Sequence, residues 1–323
     1  MQGREMPEPN AIPPVYVGID VCKDWLDVYL HPSGQSLRVS NDRVGHKRIK
    51  RVLSGQPVAR VVMEATGKYH RAVQRSLHAA GLPVCLVNPL RARLFAEASG
   101  TLAKTDALDA RMVARMGAAL DPGVTAPCPI ALEHLRELVG ARTAATAEHT
   151  ALVNRLSCTT TAFLRTELRR RIASCRTHIC RLDAEIEARI AADEVLAHKR
   201  AILLSIPGIG PVVATALLTG MDELGTCSAK QAASLAGLAP LARDSGAAQA
   251  PRFIRGGRRH VRNALYMAAL SASRHAPGLA IFAKRLKAAG KRPKVVLVAV
   301  MRKLIVLANT LIAQNRKWHP IAP

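Results

Sequence analysis

The sequence lacks any long apolar run, and its N-terminus lacks the features of a signal peptide. No stretch approaches the roughly 20 consecutive apolar residues that a membrane-spanning helix needs, since the run from Val295 to Val300 is short. The first 14 residues contain four prolines, two glutamates and no apolar segment. We therefore predict a flexible tail over residues 1–14 and no association with a membrane.

Paired cysteines are also missing. The seven cysteines are scattered along the chain without a Cys-x-x-Cys spacing, which argues against a zinc ribbon and against a dithiol redox site. Free cysteines suit a reducing compartment, so the cytoplasm is the expected location.

Acidic residues are absent from the last quarter of the chain. Between Ser245 and Pro323 there are 16 Lys and Arg but no Asp or Glu. The whole chain has a net charge of +24 and a pI near 10.7. Such an excess requires a polyanionic partner, and nucleic acid is the partner that we expect.

The first domain, at residues 15–125, is predicted to be a mixed α/β unit. Its strands are expected at 15–20, 25–30, 37–40, 59–63 and 83–87, and its helices at 44–53, 69–80, 90–98 and 105–120. The order βββαβαβα, closed by one more helix, suits a mixed sheet covered by helices. It is the order of ribonuclease H-like folds.

The rest of the chain is predicted to be helical. Residues 126–200 form a connector of two long helices that break near Cys158, with apolar residues at coiled-coil spacing. Residues 201–316 form an all-helical domain with a glycine turn at 206–214 and later helices at 258–274 and 293–313, followed by a tail at 317–323. The fold class is thus α/β plus α.

Four carboxylates stand where this fold would bring them together. Asp20 ends the first strand, Glu64 ends the fourth, and Asp106 and Asp109 share the first turn of a helix that Thr105 can cap. Clustered carboxylates need a cation, and Mg²⁺ prefers such oxygen ligands. Two ions about 4 Å apart would hold both oxygens of a phosphoryl transfer.

Ordinary explanations compete with this metal site. An Asp after a strand is commonly a loop acid, and two acids at a helix start complement the helix dipole. Asp24 and Asp27 compete with Asp20, although both are predicted in or beyond a polar turn. Spacing alone therefore leaves the metal site open.

Two features of the C-terminal half suit DNA. Residues 206–218 match a helix-hairpin-helix, in which the turn at Gly208 and Gly210 offers backbone amides to phosphate. A tight turn between packed helices is the alternative. Five nearby arginines predict phosphate binding, because no acid close in sequence can pair with them: Arg252, Arg255, Arg258, Arg259 and Arg262.

Ser245 is a candidate nucleophile. A Ser between Asp244 and Gly246 is ordinary turn chemistry. However, the arginines downstream can stabilise charge on a phosphorane-like transition state. Tyr266, on the helix after the arginines, would suit a tyrosine recombinase, but its apolar neighbours predict a core residue.

Together these segments resemble the DEDD transposases of the insertion sequence 110 family. The N-terminal motifs are VYVGID, VVMEATGKYH, LVNPLRAR and KTDALDARMVA, and the C-terminal motifs are SIPGIGPVVATALL, SLAGLAPLARDSG and IRGGRRHVRNALYMAAL. The resemblance covers roughly residues 15–315, with all motifs in the family's order. Where many relatives have Asn, this chain has Gly257.

The resemblance implies a RuvC-like domain in which Asp20, Glu64, Asp106 and Asp109 bind Mg²⁺. It also implies that Ser245 attacks a DNA phosphodiester and stays attached, which preserves the bond energy needed for rejoining. The implied partners are donor and target DNA, a structured non-coding guide RNA that pairs with both, and further copies of the chain in dimers and tetramers. The implied location is the bacterial cytoplasm, in association with the nucleoid.

Three other functions stay open. A RuvC-like nuclease would hydrolyse branched DNA with water and would not need Ser245. A DNA invertase of the same family would use the same residues and differ only in the flanking DNA. A non-catalytic nucleic-acid-binding protein would use the glycine turn and the basic tail alone.

Overall fold

The computed structural model describes residues 13–65, 67–100, 106–242, 244–245, 248–249 and 252–319, without side-chain detail at 106–108, 244–245 and 248–249. Most of the predicted N-terminal tail and the end of the C-terminal tail lie outside these residues. The chain forms two compact units, Met1–Cys128 and Pro129–Pro323. The segment predicted as a connector packs within the second unit.

The first unit is a mixed sheet with helices. Its strands are β1 Val15–Val21, β2 Trp25–His31, β3 Ser36–Ser40, β4 Val58–Glu64 and β5 Val84–Val87, and its helices are α1 Arg43–Leu53, α2 His70–His78, α3 Pro89–Ala98 and α4 Asp106–Leu120. The five strands have the order β3-β2-β1-β4-β5. β2 is antiparallel to both β1 and β3, and β4 is parallel to both β1 and β5. The predicted mixed α/β sheet is confirmed.

The two faces of this sheet pack against different helices. Inward-facing residues of β1, β2 and β4 are buried with Ile49 of α1 and Leu77 of α2. On the opposite face, Val62 of β4 is buried with Val113 and Met116 of α4. The alternation of side chains along each strand thus separates an α1–α2 face from an α4 face.

The close approach of β1 to α4 depends on Gly18. A β-carbon at this position would lie 2.0 Å from the carbonyl oxygen of Ala110 and 2.5 Å from the amide nitrogen of Ala114. Only glycine lets the strand lie so near the helix backbone. Gly18 therefore sets how close the helix that begins at Asp106 can come to β1.

The second unit is largely helical. It contains α5 Ile130–Cys158, α6 Ala162–Ala191, α7 Glu194–Ser205, α8 Pro211–Gly220, α9 Ala229–Leu235, α10 Arg259–His275, α11 Pro277–Ala288 and α12 Pro293–Ala313. The first two form a hairpin with an apolar seam that includes Leu138, Leu152 and Leu182, all of which have the coiled-coil spacing seen in the sequence.

One segment of this unit is not helical, so the prediction of an all-helical C-terminal domain is wrong. Between α9 and α10, β6 Pro240–Leu241 pairs with β9 Phe253–Ile254, and β7 Asp244–Ser245 pairs with β8 Ala248–Gln249, both antiparallel. We call this nested pair, residues 240–254, the hairpin arm. Strands of two residues leave almost no period-2 pattern in a sequence, so the arm resembles a polar loop there.

Helix α12 is the one helix of the described residues that is long and apolar enough to cross a membrane, with a mean hydropathy of 2.1. Its charged residues Arg302 and Lys303 interrupt the apolar run in the sequence. Val300, Leu304 and Ile305 are buried in the unit. A core helix of this kind passes the same test of length and composition, so the helix is weak evidence for a membrane.

Candidate functional site

A row of charged residues crosses the sheet of the first unit. Asp20 of β1 is the cross-strand partner of Asp27 in β2, and Asp27 is the partner of Arg38 in β3. On the other side of β1, Ile19 pairs with Met63 of the parallel strand β4, so the next residues of the two strands, Asp20 and Glu64, follow side by side. Directly opposed side chains point to the same face of a sheet. The row therefore runs from Arg38 through both aspartates to Glu64.

This row lies on the α4 face. Side chains two residues apart share a face, so Asp20 lies on the same side as Gly18, whose backbone contacts α4. By the same rule Glu64 shares the side of Val62, which packs against α4. The acids at the ends of β1 and β4 thus face the helix that carries the other two predicted acids.

The direction of α4 places its first turn near Asp20. A β-carbon on Gly117, late in α4, would lie 3.6 Å from the Tyr16 ring at the start of β1, whereas Gly18 contacts the earlier residue Ala110. The helix therefore runs antiparallel to β1, and its N-terminal end lies towards the end of the strand. Asp109 is in that first part of α4, half-buried like Asp20 and Glu64.

The donor chemistry of this region suits a hard divalent cation, because its acids offer oxygen ligands from two adjacent strands and a helix start. Among the side chains that the structure describes, no three His, Cys, Asp or Glu form a metal-binding group. The side chain of Asp106 and the proposed cap Thr105 lie outside the described residues.

Asp27 is already used by the fold. It is only 8% exposed, and Arg38 donates to its two carboxylate oxygens, from Nε and Nη2, at 2.8 Å each. Asp27 lies beyond the turn that follows β1, inside β2, as expected. Arg38, which sequence reasoning missed, neutralises a second carboxylate next to Asp20.

The arginine cluster of the second unit contains one residue with a structural partner. Arg258 donates to the Glu223 carboxylate at 2.6 and 2.5 Å and to the carbonyl oxygen of Gly220 at 2.8 Å. Burial is the largest single influence on Glu223 and opposes its ionisation, but the hydrogen bonds and the charge of Arg258, together with hydrogen bonds from the Glu223 backbone and Asp222, lower the pKa of Glu223 overall. The prediction that no acid pairs with the cluster is therefore wrong for Arg258.

The other arginines differ in their exposure and partners. Arg262 donates to the carbonyl oxygen of Gly256 at 2.7 Å, which closes the turn before α10. Arg252 is exposed, and so are Arg255 and Arg259, which make no ion pair within the described part of the chain. Arg255 and Arg259 are thus the members best placed to meet a phosphate.

The glycine turn between α7 and α8 has one packed and one open position. A β-carbon on Gly208 would lie 2.7 Å from the β-carbon of Ala272 and 2.9 Å from the carbonyl oxygen of Ala268, both in α10. A β-carbon on Gly210 would have no neighbour within 4 Å, and no described side chain caps α8, which begins with Pro211. The first amides of α8 are therefore available to an anion.

Ser245 lies in β7 of the hairpin arm, opposite Ala248. Its side chain is outside the described residues, so the structure gives its place in the backbone alone. Tyr266, the other nucleophile that the sequence offered, is 40% exposed on α10, and the prediction that it is a core residue is wrong.

Two glycine segments cross at the base of the hairpin arm. A β-carbon on Gly257 would lie 2.2 Å from the amide nitrogen of Gly237 and 2.8 Å from the carbonyl oxygen of Leu235. Both glycines have positive φ, +68° in each case. Arg258 closes the crossing, because its amide donates to Leu235 at 2.8 Å. The chain enters and leaves the arm through this crossing.

Two family models match the sequence. A DEDD transposase model of the IS110 type matches residues 17–163, and a model described as transposase of the IS116/IS110/IS902 family matches residues 200–284. The protein belongs to the IS110 transposase family. The predicted family is thereby confirmed. It is a family of enzymes that act on DNA.

Curated relatives of this IS110-family chain include two inverting proteins. The pilin gene-inverting proteins of Moraxella bovis and Moraxella lacunata are each 30% identical to it, over 94% of this chain and 97% of the relative. An uncharacterized 42 kDa protein of insertion element IS900 from Mycobacterium paratuberculosis is 32% identical over 55% of this chain and 43% of its own length. The DEDD family also suggests the use of a divalent metal.

Proposed function

We propose that this IS110-family protein is an RNA-guided transposase that cuts and rejoins DNA through a covalent serine–DNA intermediate. The observation that carries the proposal is the placement of Asp20 and Glu64. They stand side by side at the ends of β1 and β4, on the face covered by the helix that begins at Asp106 and includes Asp109. RuvC-like nucleases need acids from separate segments at one point, and this sheet supplies them.

In this proposal Asp20, Glu64, Asp106 and Asp109 hold Mg²⁺. When bound, the cation withdraws charge from the phosphate oxygens and stabilises the departing oxygen. The carboxylates orient the phosphate in front of the nucleophile. Arg255 and Arg259, exposed at the base of the hairpin arm, bind neighbouring phosphates and stabilise negative charge there.

Ser245 supplies the nucleophile. Its hydroxyl oxygen forms a bond to phosphorus as its proton leaves, and the bond from phosphorus to one deoxyribose oxygen breaks, so that this oxygen takes up a proton. A hydroxyl of the second DNA strand then attacks the same phosphorus, and Ser245 regains its proton as the new strand is joined. One phosphodiester is exchanged for another, so no external energy source is needed.

The partners of the proposed enzyme are donor and target DNA, a structured guide RNA and other copies of the chain. A guide that pairs with both DNAs would remove the need for a helix that reads bases, and the open end of α8 suits phosphate contact without sequence readout. In a dimer or tetramer, the acids of one protomer would act with Ser245 of another. Such an enzyme would work at the nucleoid.

Purified protein, guide RNA and labelled donor DNA test this proposal. We expect Mg²⁺-dependent strand transfer and a protein–DNA adduct that survives denaturation. Ser245→Ala should abolish both, and Asp20→Asn should abolish cleavage. A Ser245→Ala protein that still cleaves DNA would instead identify a nuclease that uses water.

Site-specific DNA inversion is a second candidate, favoured by the similarity to the pilin gene-inverting proteins of Moraxella. Inversion and transposition need the same acids and the same serine. The DNA on both sides of the gene distinguishes them, because an invertase is expected next to a segment with inverted ends, and a transposase inside the ends of its own element.

A further inference from the structure

The exposed side of α1 is strongly basic. Five cations and no acid occur in this helix, and four of the cations are exposed: Arg43, Lys47, Arg48 and Arg51, with Lys50 half-buried. The apolar residues Ile49 and Leu53 are buried against the sheet. We call these five cations the α1 basic face. It lies in the N-terminal unit, well away in sequence from the C-terminal arginine cluster.

Folding alone does not account for this face. Arg43, Lys47 and Arg51 follow one another at i,i+4, where like charges destabilise a helix by a few tenths of a kcal/mol per pair, roughly 0.2–0.5. No ion pair in the described part of the chain relieves any of the five cations. Asp42, the nearest acid, caps the helix and accepts from the amides of Val44 and Gly45 at 2.8 and 2.9 Å. A polyanionic ligand would offset this repulsion.

The start of α1 is tied to the edge of the sheet that carries the acids. Asn41, just before the cap, donates from Nδ2 to the carbonyl oxygen of Cys22 at 2.9 Å and to that of Tyr69 at 3.2 Å. Cys22 comes two residues after Asp20, and Tyr69 follows the end of β4 at Glu64. The α1 basic face therefore begins at the end of the sheet where the acids lie, on the face opposite to α4.

The length of the face matches a nucleic-acid strand. At 1.5 Å per residue, the helix advances about 12 Å from Arg43 to Arg51. Phosphates of one DNA strand follow one another every 3.4 Å or so along the axis, so the face spans roughly three of them. Flexible Lys and Arg side chains bind such phosphates without reading the bases.

We propose that the α1 basic face binds the phosphate backbone of the DNA duplex next to the cleavage site. The duplex is favoured over the guide RNA because α1 begins at the end of the sheet where the acids that would cut DNA lie, although those acids face α4 and α1 covers the opposite face. The inference rests on the proposed function for the identity of the nucleic acid, but its test does not require catalysis.

Binding of a random-sequence DNA duplex of about 40 base pairs to the full chain, without metal, tests the inference. The variant Lys47→Gln/Arg48→Gln/Arg51→Gln removes three exposed charges and keeps good helix formers. Each lost phosphate contact lowers the slope of log K against log salt by about 0.9. We expect the slope to fall by about two to three and the affinity at low salt to fall at least about tenfold.

A matched control removes three exposed cations from the long hairpin, with Arg169→Gln/Arg176→Gln/Arg181→Gln on α6. Its slope should stay close to that of the unchanged protein. Equal loss in both variants would show a general effect of net charge and overturn the inference, as would unchanged binding by the α1 variant. Loss of binding to an RNA duplex of the same length, with DNA binding retained, would also overturn it.

The two proposals fail in different ways. If strand transfer is never found but the α1 variant loses DNA binding, the proposed recombination fails and the DNA surface stands.

Discussion

Gly257 and Gly237 cross backbone to backbone at the base of the hairpin arm, with 2.2 Å between a β-carbon built on Gly257 and the amide nitrogen of Gly237. Any side chain at 257 would have to displace that backbone. An Asn side chain therefore does not fit at this position. The arm that holds Ser245 starts and ends at this contact.

Gly257→Asn should therefore destabilise the protein by about 2–3 kcal/mol, as overpacking against backbone does. Gly256→Asn is the matched control, since Gly256 has a similar φ of +70° but no neighbour within 4 Å, and Asn tolerates that conformation. Denaturant unfolding of both variants measures the difference. Equal stability of the two would contradict the crossing.

Arg258 and Arg259 are adjacent but should have opposite mutant phenotypes. Arg258→Ala leaves the Glu223 carboxylate without its main donor and should lower the free energy of unfolding by about 1–3 kcal/mol. Arg259→Ala, at an exposed position, should leave stability within about 0.5 kcal/mol and weaken DNA binding. Thermal melts and a binding assay on both proteins check this pair.

The Arg258–Glu223 pair should also make stability depend on pH. The pKa of Glu223 is lowered in the folded state, so its contribution is present above the ordinary pKa and is lost as the pH falls through the lowered one. We expect stability measured from neutral pH downwards to fall less steeply in Glu223→Gln than in the unchanged protein. If the stability of the two proteins falls equally steeply below neutral pH, the ion pair does not contribute to the pH dependence of stability.

Arg38 should stabilise the fold by neutralising the buried carboxylate of Asp27. Arg38→Ala leaves the buried Asp27 carboxylate beside Asp20 and should lower stability by about 1–3 kcal/mol. Adding Asp27→Asn removes that charge, so the double variant should recover much of the loss. If the double variant is no more stable than Arg38→Ala in urea unfolding, charge repulsion is not the cause.

Gly18 should matter for the metal site as well as for packing. In Gly18→Ala the new methyl group would meet the backbone of α4 at Ala110, so the helix and its Asp109 must move away from β1. We expect loss of Mg²⁺-dependent cleavage together with lower stability. Gly123→Ala, where no atom lies within 4 Å, should keep both. Cleavage by Gly18→Ala at the unchanged rate would contradict this geometry.

Local patterns in the sequence were enough to predict the first unit. The alternation in β2 and the uninterrupted apolar runs of β1 and β4 predict strands that end at Asp20 and Glu64, and the helical spacing downstream predicts α4. The same kind of pattern predicts the long hairpin. It does not separate α7 from the second long helix, because the break at Asp193 is short. The side chain of Asp193 caps α7 there.

Contacts between distant residues were beyond the reach of such patterns. Arg258 meets an acid 35 residues earlier, and the sequence near the arginines contains no sign of it. The same holds for Arg38 and Asp27, which become neighbours only through the register of β2 and β3.

By itself, the sequence determined the strands, the helices and the charge of this protein, because these follow from periodicity and composition over short windows. The tertiary structure alone decided which acids share the α4 face, which arginines are left exposed, and how the arm of Ser245 is anchored. Those properties depend on close approach between segments far apart in the chain, such as the crossing of Gly237 and Gly257, and a close approach has no local pattern.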